Sequence, residues 1–263
     1  MTATRLVAAV SLVSVFCLPG TTQAQTGVQP ASFAPPAALS AEPGVRDIPG
    51  WGDLFKPLPA DFRRLATGRN LALVSMGAAG ALGSHAFDAR VAARPWGTGA
   101  VEESLEPGRL VGDFMMQAGG AIATYAVGRL ANKPRVAVIG AELFRAQLVA
   151  QATTQALKIS TRRLRPDGTR LSFPSGHTSA AFATAAVLQS ELGWKAGVPA
   201  FAVAAWVGAS RMQADRHYFS DVVAGATIGL LAGRSVTFGH GRGRFTLRPS
   251  VLPGGAGITI GRD

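Results

Sequence analysis

Three short segments carry eight residues whose types and spacing suit the handling of a phosphoryl group. They are Lys158 and Arg165 in the run ending at Pro166, then Ser175, Gly176 and His177 after Pro174, then Arg211, His217 and Asp221 in the run from Ser210. Lys158, Arg165 and Arg211 supply fixed positive charge. The two guanidinium forks match the oxygens of a transferring phosphoryl group, whose charge must be stabilised in the transition state. Ser175 is a favoured cap for a helix starting near His177. The amides of Gly176 and His177 at the positive end of that helix suit an anion, and Gly176 lets the backbone approach it with no side chain between. Asp221 follows His217 by four residues, within reach of a ring nitrogen if the chain turns there, so it can fix the tautomer and stabilise positive charge. A neutral imidazole can attack phosphorus and split hydrolysis into two easier steps, whereas a protonated one can donate to a leaving alkoxide. The residues alone leave open which histidine does which.

Each segment by itself is modest evidence, since a basic run at a helix end is favoured by the helix dipole alone. In this order and spacing they resemble the three-part signature of the type 2 phosphatidic acid phosphatase (PAP2) superfamily. That superfamily also includes bacterial class A acid phosphatases and vanadium haloperoxidases. Its pattern is Lys, six residues, Arg-Pro; then Pro-Ser-Gly-His; then Ser-Arg, five residues, His, three residues, Asp, and every specified position is matched. The likeness runs from about Val136 to Arg234. It implies His217 as nucleophile through a phosphohistidine, His177 as general acid and then base, and Asp221 as the partner of His217. It also implies that Lys158, Arg165, Ser175, Gly176 and Arg211 bind phosphate. The function implied is a metal-independent phosphomonoester hydrolase with no cofactor, either an acid phosphatase or a lipid phosphate phosphatase. Two alternatives stand beside it. One is a vanadate-dependent haloperoxidase, because vanadate resembles phosphate trapped at five-coordination, although Thr178 and Ser179 after His177 look more like the phosphatase branch. The other is a noncatalytic phosphate-binding protein, which the retention of both histidines does not favour.

Other polar residues are read more plainly. His85 and Asp88 are spaced to meet, but two residues make no metal site, and a capping or surface role is expected. Arg162, Arg163, Arg170 and Arg216 are expected to be surface charge or electrostatic steering. No Gly-rich nucleotide loop, His-Glu-x-x-His motif or Ser nucleophile elbow is present, so nothing in the sequence calls for a metal.

Positioning these residues falls to helices. The 263 residues are 48% hydrophobic, enough for one domain with a sizeable core, and 32 Gly with many Ala suggest closely packed helices. Six apolar stretches of helical length are expected, at 71–87, 110–131, 136–160, 177–193, 196–211 and 220–234. They predict an all-α bundle at 66–236, followed by a β-hairpin tail at 237–263 in which Phe245 and Leu247 alternate, then Ile258 and Ile260. His240, between Gly239 and Arg244, is expected to be a solvated loop residue. Along the third stretch Gln147, Gln151, Gln155 and Lys158 form a polar stripe, with Glu142 and Arg145 before it. A lipid-facing helix would not tolerate that stripe, so a soluble or loosely membrane-associated bundle is expected. An excess of 26 Lys and Arg over 15 Asp and Glu favours anionic partners. The motifs narrow these to a phosphomonoester or lipid phosphate, with no nucleic acid. At the N-terminus, Arg5, the apolar run Leu6 to Leu18 and the small-residue ending at Ala24 read as a signal peptide over 1–24. Export to the periplasm or the extracytoplasmic membrane face follows, and Cys17 would leave with the signal. Residues 25–65, rich in Pro, Ala and Gly, are expected to be a flexible leader.

Overall fold

The computed structural model describes residues 48–94, 99–237, 245–252 and 255–262. A 3-10 turn (Trp51–Leu54) and α1 (Leu58–Leu65) lead into α2 (Gly68–His85), and three short helices follow: α3 (Asp88–Ala92), α4 (Ala100–Leu105) and α5 (Gly108–Val111). The long helices α6 (Phe114–Leu130), α7 (Pro134–Thr161), α8 (Gly176–Leu192), α9 (Trp194–Gln213) and α10 (Phe219–Val236) complete an all-α bundle. At the end of the chain β1 (Phe245–Leu252) pairs antiparallel with β2 (Gly255–Arg262), Phe245 opposite Arg262. Five of the six apolar stretches expected from the sequence fall within single helices to within two residues, and the second, 110–131, is divided between α5 and α6 at Gly112 and Asp113. Their ends are set by local chemistry. Helix α6, for example, starts at Phe114 because the Asp113 carboxylate accepts from the amides of Met115 (2.9 Å) and Met116 (3.3 Å). The signal segment 1–24, the leader up to residue 47 and His240 lie outside the described residues.

Helix α7 is the axis of the core. Its Ala137, Ala141, Ala146, Val149 and Ala150 meet Tyr125 of α6, Ala183 and Val187 of α8, and Ala232 and Val236 of α10. Part of the polar stripe on α7 faces this interior, whereas Gln151 and Gln155 line the cavity described below. Gln147 is fully buried and donates to Ala180 O at 3.0 Å and Thr184 Oγ1 at 2.9 Å, while Arg145 donates to Val236 O and pairs with Asp61 of α1 at 3.0 Å. A charge pair taken from water needs such multiple partners to persist. No helix among the described residues is long and apolar enough to cross a membrane.

Asp61 lies within the stretch expected as a flexible leader, and the structure differs there. Residues 48–65 pack against the bundle: Ile48, Leu54, Leu58 and Leu65 join the core around α7, and Pro49 O accepts from the Tyr125 hydroxyl at 2.7 Å. The prolines that suggested disorder instead open helix α1, with Pro57 at its N-cap and Pro59 in its first turn.

Helices α8 and α10 run parallel in close register through one residue per turn. A Cβ added at Gly225 would lie 2.5 Å from Ser175 O, one at Gly229 would meet Ser179 O, and one at Gly233 would lie 2.5 Å from the Ala186 Cβ. Glycine here admits a backbone-to-backbone approach that any side chain would block. It brings the start of α8 beside the start of α10, where the Ser175 amide donates to Asp221 O at 2.9 Å.

Candidate active site

Three chain turns gather the charged residues at one end of the bundle. Helix α7 delivers Lys158 and stops at Arg162, which takes the left-handed conformation (φ 48°). Beyond it the chain turns, with the Arg165 amide donating to Thr169 O at 2.7 Å and the Gly168 amide to Arg165 O at 3.0 Å; a residue before proline is disfavoured in a helix. A cis Phe173–Pro174 bond then leads into Ser175 at the start of α8. The last turn of α9 supplies Arg211, and His217 sits between α9 and α10.

Lys158, Arg165, Gly176, His177, Arg211 and His217 line one cavity of about 620 Å³. The other two residues singled out by the motifs, Ser175 and Asp221, are fully buried behind that wall. Ser175 occupies the N-cap position of α8, but its hydroxyl accepts from Thr178 Oγ1 at 2.9 Å and makes no bond to a helix amide. A Cβ on Gly176 would find only ordinary contacts, Thr154 Cγ2 at 3.6 Å and Lys158 Cε at 3.9 Å.

The cations are held close together with little compensation. Arg211 is 5% exposed, and its Nε and Nη1 have no hydrogen-bond partner; neither does Arg165 Nε. Burial, then neighbouring cations, lowers the pKa of both guanidinium groups. Burial, reinforced by Arg165 and opposed by Asp221, takes the Lys158 ammonium to about 8, while Lys158 Nζ donates to Leu171 O at 2.7 Å. Arg109 and Arg216 also line the cavity, against a single lining carboxylate, Asp113. Buried donors without acceptors are unfavourable, and a tetrahedral oxyanion offers acceptors to several at once.

Both histidines are neutral over a wide pH range. Burial pushes His177 down to about 4, assisted by Arg211, His217 and Lys158 and opposed by Asp113. Burial likewise takes His217 to about 4, against the pull of Asp221. His217 Nδ1 stands 3.7 Å from Asp221 Oδ2 and has no hydrogen-bond partner. Asp221 therefore acts on the ring through charge and orientation, leaving Nε2 on the far side. Burial opposes ionisation of Asp221, yet its bonds from Ser172 Oγ, the Tyr218 amide (2.9 Å) and Arg163 (2.7 Å) hold its pKa below the usual carboxylate range.

This burial predicts a pH dependence of stability. In the unfolded chain both histidines bind protons below about 6.5, while in the folded protein they do so only below about 4. Protonation therefore favours unfolding, and stability present above pH 6.5 is lost as pH falls towards 4, by up to about 3 kcal/mol per histidine. The melting temperature of the ligand-free protein should drop across that window, and His177→Gln should flatten the slope.

Residues that the motifs do not specify also shape the site. Arg163, expected as surface charge, instead donates to Asp221 Oδ1, Ser220 Oγ and Asp88 Oδ2, each at 2.7 Å, and lies 4.3 Å over the Tyr218 ring. Asp88, expected at the surface or in a cap, is 4% exposed and accepts from the Ser220 amide (2.9 Å) and hydroxyl (2.6 Å); His85 meets it at 2.8 Å. Tyr218 holds the N-cap position of α10, and Asp221 reaches back to its amide. Arg163 lies 58 positions from Asp221 and 75 from Asp88, so no local pattern announces the cluster. Asp113 did carry a signal: an Asp directly before the apolar Phe114-Met115-Met116 reads as a cap.

The family model for the PAP2 superfamily matches residues 167–242, which include the second and third motifs and leave Lys158 and Arg165 just outside. A lipid A 1-phosphatase of Porphyromonas gingivalis is 46% identical over 80 residues, 29% of this chain and 18% of that protein. The likeness thus spans less than a fifth of that relative. Among solved structures, LpxE of Aquifex aeolicus is 23% identical with a TM-score of 0.39, covering 52% of this chain and 96% of that one. A transmembrane PAP2 type phosphatidylglycerolphosphate phosphatase from Bacillus subtilis is 22% identical with a TM-score of 0.38, over 70% and 92% of the two chains.

Proposed function

We propose that this chain, whose residues 167–242 match the PAP2 superfamily model, hydrolyses phosphate monoesters, lipid phosphates foremost, through a phosphohistidine on His217 and without a metal ion. One observation carries this reading: unpartnered, buried guanidinium nitrogens of Arg211 and Arg165 meet Lys158 and two neutral histidines on the wall of one cavity. His217 Nε2 attacks phosphorus, and the bond from phosphorus to the ester oxygen breaks. His177 in its imidazolium form gives its proton to the leaving alkoxide. Water then attacks the phosphohistidine, His177 takes the proton, and inorganic phosphate leaves with His217 neutral again. Lys158, Arg165 and Arg211 spread the charge that a metal would otherwise carry, and Asp221 stabilises the cationic imidazole of the intermediate. The lipid preference rests on the similarity to the lipid A 1-phosphatase. Export directed by residues 1–24 belongs to the same proposal.

Purified protein should hydrolyse an aryl phosphate and a dispersed lipid phosphate in excess chelator, with vanadate competing. Loss of turnover in chelator would overturn the metal-free mechanism. Halide oxidation with vanadate and peroxide, in place of ester hydrolysis, would move the chain to the haloperoxidase branch.

Asp113 is the carboxylate that opposes the depression of His177. Asp113→Asn removes that support, so His177 loses its proton at lower pH. The alkaline limb of kcat against pH should move down by roughly half a unit to one unit. Gly176→Ala tests the anion seat. The fold has room for the methyl group, so the melting temperature should stay within about 2 °C. The methyl would stand where the phosphate is proposed to approach the backbone, so KM should rise roughly tenfold.

A further inference from the structure

We infer that Arg163 is a positioning residue for the nucleophile: by bridging the Asp221 and Asp88 carboxylates it fixes the orientation, and tunes the charge, that Asp221 presents to His217. The inference rests on the reading of His217 as nucleophile.

The two oxygens of Asp221 are divided between distinct tasks. Oδ1 accepts from Arg163 Nη1, whereas Oδ2 accepts from Ser172 and the Tyr218 amide and faces His217 Nδ1. With Oδ1 held, the carboxylate cannot rotate away from the ring. Arg163 is itself held at several points, since Nη2 reaches Asp88 Oδ2, Nη1 also reaches Ser220 Oγ, and the guanidinium stacks on Tyr218. A planar fork can serve two carboxylates and a ring face together, which the point charge of lysine cannot. One guanidinium thereby ties the α7–α8 loop to the start of α3 and the first turn of α10.

The charge balance matters as much as the geometry. Asp221 and Asp88 have side chains 0% and 5% exposed, and one cation stands between them. Asp88 keeps Arg163 from neutralising Asp221 completely, so Asp221 still acts on His217 as a carboxylate. The charged and titratable groups facing His217 are Asp221 from α10, Lys158 from α7, Arg165 from the loop and His177 from α8. Arg163 and Asp88 form the next layer behind Asp221. His85, at 2.8 Å from Asp88 and 3.2 Å from Arg163, closes that layer toward solvent.

The test is to titrate His217 by imidazole 15N NMR in the full chain and to measure kcat and KM on an aryl phosphate. Asp88→Asn, which can still accept from the Ser220 amide, removes negative charge behind Arg163 and should lower the His217 pKa by a few tenths of a unit. Arg163→Met removes the cation and should raise that pKa by roughly half a unit or more, with kcat down at least about tenfold and KM within about twofold. Shifts of opposite sign support the bridge. If Arg163→Met does not fold, Asp88→Asn alone decides, and a His217 titration unmoved from that of the unmodified protein overturns the inference. So do melting temperatures that fall in both variants while the titration and kcat stay put. His217→Ala separates the two readings. Activity persisting in that variant sinks the nucleophile assignment, whereas inactivity there combined with an unmoved titration in the Asp88 and Arg163 variants sinks only the bridge.

Discussion

Substituting His217 by alanine should lower kcat for phosphate ester hydrolysis by at least about 10⁴-fold, because deleting a covalent nucleophile removes the reaction path itself, not a contribution to it. Phosphate affinity should change little by comparison, since Lys158, Arg165, Arg211 and the start of α8 remain in place around the cavity. His217 is 4% exposed, so the variant also loses some packing, and melting with and without vanadate separates that loss from the chemistry. Vanadate should still stabilise the variant by mass action. His177→Ala differs in kind. With a good leaving group such as an aryl oxide the first step does not need its acid, so phosphoenzyme should form in a burst and then persist for lack of a base to activate water. Residual turnover of His217→Ala within tenfold of the unmodified protein would exclude the proposed intermediate.

Gly229→Ala should be among the most damaging single methyls in the bundle. Its Cβ would meet the carbonyl oxygen of Ser179 on the facing helix, with Phe182 Cβ at 2.6 Å and the Ala183 amide nitrogen at 2.8 Å. Backbone cannot step aside as a side-chain tip can, so α8 and α10 must separate. Overpacking of this kind typically destabilises by about 1 to 3 kcal/mol. For a domain of this size that corresponds to a fall in melting temperature of roughly 2 to 12 °C. Activity should fall by more than the folded fraction explains, because the same contact sets the spacing between His177 and Asp221. Gly119→Ala, whose Cβ meets nothing within 4 Å, serves as the control and should melt at least as high as the unmodified protein.

The contrast between these glycines shows what could be read in the chain beforehand. The abundance of small residues announced close helix packing, but which glycines touch a neighbouring backbone depends on the facing of two helices far apart in sequence. The long helices were legible because each needs a sustained apolar stretch, whereas their starts were less so: the stretch read from 110 begins its long helix only at Phe114, behind the Asp113 cap. The motif residues were legible because a phosphoryl group demands a fixed set of donors, and six of the eight do reach the same cavity wall. Arg163 was not. It lies inside the first motif's variable stretch, and its value comes from partners on α3 and α10. Residues 48–65 misled for a related reason: their prolines and glycines resemble linker composition, and only the core contacts of Leu54 and Leu58 reveal an ordered segment.

The parallel registry of α8 and α10 has an electrical consequence. Two helices aligned in the same direction present their positive ends side by side, each equivalent to roughly half a unit charge. That of α10 is engaged by the Asp221 carboxylate folded back onto the Tyr218 amide, while that of α8 stands at Gly176 on the cavity wall. Part of the attraction for a phosphate thus resides in peptide groups that carry no proton to lose. It should outlast both alkaline pH and chemical blocking of every lysine.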